Sequence, residues 1–102
     1  WKAMELEITY DGTEAIVKVS GRLITNNSPE LEQSLVDVYG KITDLTFDFE
    51  NLEYISSAGL RVIMGAYKKI AAKGGALKVI NANEELLEIF EVTGLSSLLD
   101  IE

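Results

Sequence analysis

Two adjacent hydroxyls, Ser56 and Ser57, stand within Asn51-Leu-Glu-Tyr-Ile-Ser-Ser-Ala-Gly-Leu-Arg61, between a strand-like run, Leu45 to Phe49, and a long amphipathic pattern, Leu60 to Lys73. This spacing predicts a strand-to-helix junction, where a helix start exposes unpaired N–H groups and the positive end of its dipole. Such a place accepts a carboxylate, a capping hydroxyl or a phosphate. A serine there can cap the helix, because its oxygen accepts an orphan N–H. It can also be phosphorylated, which adds nearly two negative charges and three acceptor oxygens. A helix start accommodates that charge, so the surface changes while the fold need not. The two readings are compatible, since a cap can also be a switch.

Other chemistries find little to work with. There is no histidine and no cysteine, which removes the usual base at neutral pH, thiolate catalysis, disulfides and the commonest metal ligands. A serine hydrolase would need a lysine as base. The lysines cluster at the far end of the second helix, roughly 15 Å or more from its start at ~1.5 Å per residue. Asp44, Asp48 and Glu50 fall on or beside a strand, and Glu84, Glu85, Glu88 and Glu91 fall on a helix. The second group reads as a solvated face with acids near a positive dipole end. No acid-and-glycine calcium loop is present. Gly74-Gly75 lacks the Lys-Ser/Thr of a P-loop, and nothing matches G-x-G-x-x-G. The chain therefore reads as a non-enzyme with no cofactor and no metal.

The totals agree. A chain of 102 residues, 47% hydrophobic and 25% charged, reads as a single soluble domain spanning 1–102. Its net charge of −8 argues against a nucleic-acid surface and against docking on anionic membranes. No apolar run approaches the ~20 residues of a membrane span, and a bacterial-type cytoplasmic protein fits. Trp1-Lys2-Ala3 ahead of Met4 reads as a leftover of recombinant expression.

The elements that must position the serines follow from periodicity. Glu5 to Tyr10 alternates as a half-buried strand, Asp11-Gly12 reads as a tight turn, and Ala15 to Ser20 returns as a second strand. Gly21 to Asn27 reads as a loop. Ser28-Pro29-Glu30 reads as a helix start, with Ser28 as the capping hydroxyl. Leu31, Leu35, Val36 and Val38 form its buried stripe, and Gly40 reads as a left-handed terminus. Leu45 to Phe49 is a third strand. The second helix places Leu60, Ile63, Met64, Tyr67 and Ile70 on one face, and Gly74-Gly75 stops it. Ala76 to Ile80 is a fourth strand. Asn83 caps a third helix with Leu86, Leu87 and Phe90 inward, ending at Thr93-Gly94, and Leu98 to Ile101 forms a short last strand. The expected fold is α/β: a mixed sheet opened by a β-hairpin, with helical crossovers joining the later strands.

At the junction the chain resembles the bacterial anti-sigma factor antagonists, the single-domain members of the STAS family. Leu52-Glu-Tyr-Ile-Ser-Ser-Ala-Gly-Leu60 is similar to that family's phosphorylation motif. Tyr67-Lys-Lys, Lys73-Gly-Gly-Ala-Leu-Lys78 and Ile89-Phe-Glu-Val-Thr-Gly-Leu95 match further signatures, and Gly21-Arg-Leu and Pro29-Glu-Leu31 match the early loop and first helix. The resemblance implies helices packed mainly on one side of the sheet. It also implies transcription regulation by partner switching. The unphosphorylated protein binds an anti-sigma factor that is a serine kinase, phosphorylation releases it, and a phosphatase resets it.

By that motif Ser57 is the expected acceptor, with Ser56 second. The implied docking surface comprises Thr25, Asn26, Asn27, Ser56, Ser57, Ala58, Gly59 and Arg61. The family usually carries aspartate just before the acceptor serine, where this chain has Ser56. It also usually carries aspartate after the Gly-x-Leu of the early loop, where this chain has Ile24. The alternative is a STAS adaptor that is never phosphorylated.

Overall fold

Apolar and polar residues alternate along the first two strands, and their pairing gathers the apolar ones onto one face. In a computed structural model describing residues 4–102, β1 (Met4–Asp11) and β2 (Glu14–Leu23) form an antiparallel hairpin, with Leu6 opposite Val19 and Ile8 opposite Val17. β2 then pairs in parallel with β3 (Asp44–Asp48), which pairs with β5 (Leu77–Ile80), which pairs with β6 (Asp100–Ile101). The register sets Val17 beside Phe47 and Phe47 beside Val79. Ala15, Val17, Val19, Leu45, Phe47, Leu77 and Val79 are all buried, whereas Ile16, Lys18, Thr46, Asp48, Lys78 and Ile80 of the opposite face retain exposure. The helices α1 (Ser28–Tyr39), α2 (Ser57–Ala72) and α3 (Glu84–Val92) cover the apolar face. The mixed sheet opened by a hairpin, with helices to one side, is the expected architecture. The Trp1-Lys2-Ala3 reading lies outside the described residues.

One strand escapes the periodic reading. β4 (Leu52–Ile55) pairs in parallel with the end of β2, Gly21 to Leu23, so the expected loop begins only at Ile24. Apolar residues at 52, 54 and 55 do not alternate, which hides the strand. β2 thus shares its second edge between β3 and β4, with an irregularity at Gly21 and Arg22. Gly21 takes φ 91° there and donates its N–H to the Asn51 carbonyl at 2.8 Å.

Several smaller features differ from the expected ones. The hairpin turn is Gly12-Thr13, because Asp11 pairs with Glu14, and Gly12 supplies the positive φ. Gly40 is right-handed (φ −75°). The Lys73 ammonium, one residue past α2, donates to the Tyr39 and Ile42 carbonyls, so the last carbonyl of α1 has a side-chain partner. Val36 (54% exposed) and Leu87 (39%) face solvent. The inner face of α2 is built from Val62, Ile63, Ala66 and Ile70, with Leu60, Met64 and Tyr67 at its margins. A short 3-10 helix, Leu95–Ser97, precedes β6 and shortens the expected last strand.

Candidate modification and docking site

β4 delivers the chain to the start of α2, and the two serines divide the work there. Ser56 is the N-cap: its backbone is extended, and its Oγ accepts the Gly59 N–H at 3.2 Å. Its own N–H donates to the Leu23 carbonyl at 2.8 Å, and its carbonyl accepts the Leu60 N–H at 2.9 Å. Only 9% of Ser56 is exposed. Ser57 is the first residue of α2, and it is exposed. Gly59 explains how the helix start lies so close to the sheet, since a Cβ there would stand 2.8 Å from Leu23 Cγ and 2.9 Å from Ile55 Cγ1.

The loop facing this helix start is fixed through its main chain. The Ile24 carbonyl accepts the Ser28 N–H at 2.9 Å and the Ser28 hydroxyl at 2.5 Å. Asn27 Oδ1 accepts the Ile24 N–H at 2.8 Å, and Asn27 Nδ2 donates to the Arg22 carbonyl at 2.9 Å. Asn27 is the residue at the start of α1 and Ser28 is already helical and buried, so the expected Ser28 cap is corrected. Its hydroxyl donates back to the Ile24 carbonyl, and Asn27, in near-helical backbone, makes no side-chain cap bond.

Between the loop and α2 lies a shallow cleft of about 290 Å³, lined by Thr25, Ser28, Pro29 and Glu32 on one side and Ala58, Arg61 and Val62 on the other. The structure therefore brings Thr25, Ala58 and Arg61 together, with Asn26 and Ser57 exposed nearby in the chain. Asn27, Ser56 and Gly59 underlie the site: two are spent on internal hydrogen bonds and one on close packing. Pattern reading misses Glu32 and Pro29, whose place in the cleft depends on how α1 lies against α2. It also misses the Arg22 guanidinium stacked 4.7 Å above the Tyr54 ring, a contact created by the β2–β4 pairing. Among the described residues, no group of three acids is placed to hold a metal ion, and no helix is long and apolar enough to cross a membrane.

The family model for the STAS domain matches residues 5–102. This chain belongs to the STAS family. The anti-sigma-B factor antagonist of Bacillus subtilis (strain 168) is 29% identical to this STAS chain over 98 residues, covering 96% of the chain and 90% of the relative. Solved structures agree in fold. An anti-sigma factor antagonist from Mycobacterium paratuberculosis superposes with a TM-score of 0.86 at 22% identity, covering 96% of this chain and 84% of that one. The anti-sigma factor antagonist SpoIIAA in its unphosphorylated form gives 0.83 at 18%, covering 98% and 88%. The phosphorylated form of SpoIIAA, from Bacillus, gives 0.77 at 19%, covering 98% and 91%.

The division between the serines has a measurable consequence. Ser56→Ala removes the oxygen that accepts the Gly59 N–H and should destabilise this STAS domain by about 1 kcal/mol. Ser57→Ala, which removes an exposed hydroxyl, should stay within about 0.5 kcal/mol of the parent. Urea unfolding of the two variants side by side checks this, and equal midpoints would refute the assignment of the cap.

Proposed function

We propose that this STAS protein is an anti-sigma factor antagonist that binds an anti-sigma factor with serine-kinase activity, in the cytoplasm, and is switched off by phosphorylation of Ser57. One observation carries the reading: Ser56 already closes the helix, leaving Ser57 uncommitted and exposed beside a cleft. The names of its relatives support the partner class. That the SpoIIAA fold is known both with and without phosphate supports a modification that leaves the architecture intact.

In this reading the kinase supplies the catalytic groups and the antagonist supplies the hydroxyl. A bond forms between Ser57 Oγ and the γ-phosphorus of ATP as the bond to ADP breaks, and the hydroxyl proton passes to the kinase's base. The product carries bulk and about two negative charges where the partner had met a small neutral group. Binding is lost through repulsion and desolvation at the interface. A phosphatase restores the hydroxyl.

The test is to incubate the purified chain with its candidate anti-sigma kinase and ATP, and to weigh it. A gain of one phosphate, absent in Ser57→Ala, is expected, together with at least a tenfold loss of kinase affinity on phosphorylation. Transfer that persists in Ser57→Ala would move the site to Ser56. Ile24 and Ser56, where the family carries acids, favour one other reading, a STAS adaptor that is never phosphorylated. Retained binding with no phosphate gained would establish that reading instead.

A further inference from the structure

Arg61 follows Ser57 by four residues on α2, and both are exposed. Side chains four apart on a helix are neighbours, with Cβ atoms about 5–6 Å apart. The other cations mostly have occupations. Lys18 pairs with Glu50 at 3.3 Å and Lys78 with Glu102 at 3.1 Å. Arg22 stacks on Tyr54, Lys41 lies over Tyr10, Lys69 lies over Tyr39, and Lys73 holds the end of α1. Among the described residues only Arg61 and Lys68 are left without such a contact. Lys68 is eleven positions beyond Ser57, roughly 16 Å along the helix.

We propose that Arg61 is an internal clamp for a phosphate carried on Ser57, and that closing the clamp withdraws the cation from the docking cleft. The proposal rests on Ser57 as the modified residue. The guanidinium presents a planar fork of donors that matches phosphate oxygens in pairs, which an ammonium does not. In the unmodified protein Arg61 lines the cleft with Thr25 and Glu32, and it is not within salt-bridge distance of the Glu32 carboxylate. Without phosphate it is a cation offered to a partner. With phosphate it turns along its own helix toward position 57, and Glu32 remains as the charge of the cleft rim. Phosphorylation then changes the docking surface twice, by adding an anion and by removing the cation beside it.

The experiment needs no kinase. Phosphoserine is installed at position 57 of the intact chain by genetic code expansion, and the second phosphate pKa is followed by phosphorus NMR. An adjacent guanidinium favours the dianion, so that pKa should be lower by about 0.5 in the parent than in Arg61→Gln, with Arg61→Lys between them. The Arg61 Nε–H resonance of the parent should titrate together with the phosphate. Equal phosphate pKa values in parent and Arg61→Gln, with an Nε–H signal indifferent to phosphate ionisation, would overturn the clamp. Because the phosphate is installed rather than transferred, that result leaves the kinase assignment untouched. A chain that its kinase never phosphorylates could likewise still show the clamp.

Discussion

Gly75→Ala should cost at least about 3 kcal/mol, a large part of the 5–15 kcal/mol that holds a domain of this size together. A Cβ at Gly75 would lie 1.7 Å from the Thr43 carbonyl oxygen and 2.8 Å from its carbon. The obstacle is backbone, so no side chain can turn away to make room. Neither segment is free to retreat. Thr43 donates its N–H to the Thr13 carbonyl at 2.8 Å, and Gly75 donates its own to the Ile70 carbonyl at 3.0 Å. The next residue, Ala76, is tied to the Asp44 carboxylate at 2.8 Å. Gly74 provides the control. Its φ is +75°, but nothing lies within 4 Å of an added Cβ, so Gly74→Ala should show only the left-handed penalty of about 1–2 kcal/mol. Urea denaturation of both variants measures the difference. Equal losses would mean that the close approach of Gly75 and Thr43 relaxes at little cost.

Phe49→Ala should lose about 3–5 kcal/mol. The ring is fully buried, with its centroid 5.6 Å from that of Phe47 and 6.2 Å from that of Phe90. It stands between β3 and β4, where its N–H donates to the Ile80 carbonyl at 3.0 Å and its carbonyl accepts the Leu52 N–H at 3.0 Å. Removing the ring opens a cavity under α3 and loosens the strand that carries the chain to Ser56 and Ser57. Phe49→Leu keeps most of the volume and should lose less than half as much. Denaturation midpoints decide it. A mild loss for the alanine variant would show that α3 and β4 close over the gap.

Local order was legible from the chain wherever a single element decided it. Asn83 accepts the Leu86 N–H at 2.8 Å as a cap should, and Gly94 takes a left-handed φ of 82° after α3. The junction serines were found because their position depends only on a strand giving way to a helix. What stayed hidden depends on pieces distant in sequence. β4 exists because the end of β2 is there to pair with it. Gly40 stays right-handed at the end of α1, where Lys73 reaches over from beyond α2 to the Tyr39 carbonyl. One miss is local: Ser28 lies inside α1, and the Asn27 side chain before it is spent on Ile24 and Arg22, so neither side chain caps the helix. The cleft is one step further removed. Thr25 and Arg61 can be named from a motif, but Glu32 joins them only once α1 lies beside α2.

Main-chain bonds hold the frame of the cleft in place: Ser56 N–H to the Leu23 carbonyl, and Ser28 N–H to the Ile24 carbonyl. Thr25, Asn26, Ser57 and Arg61 project from that frame without being part of the buried core. Substitutions among them can therefore alter the surface around the cleft while the scaffold stays sound. A surface built this way can vary one exposed side chain at a time, with no unfolded protein along the way.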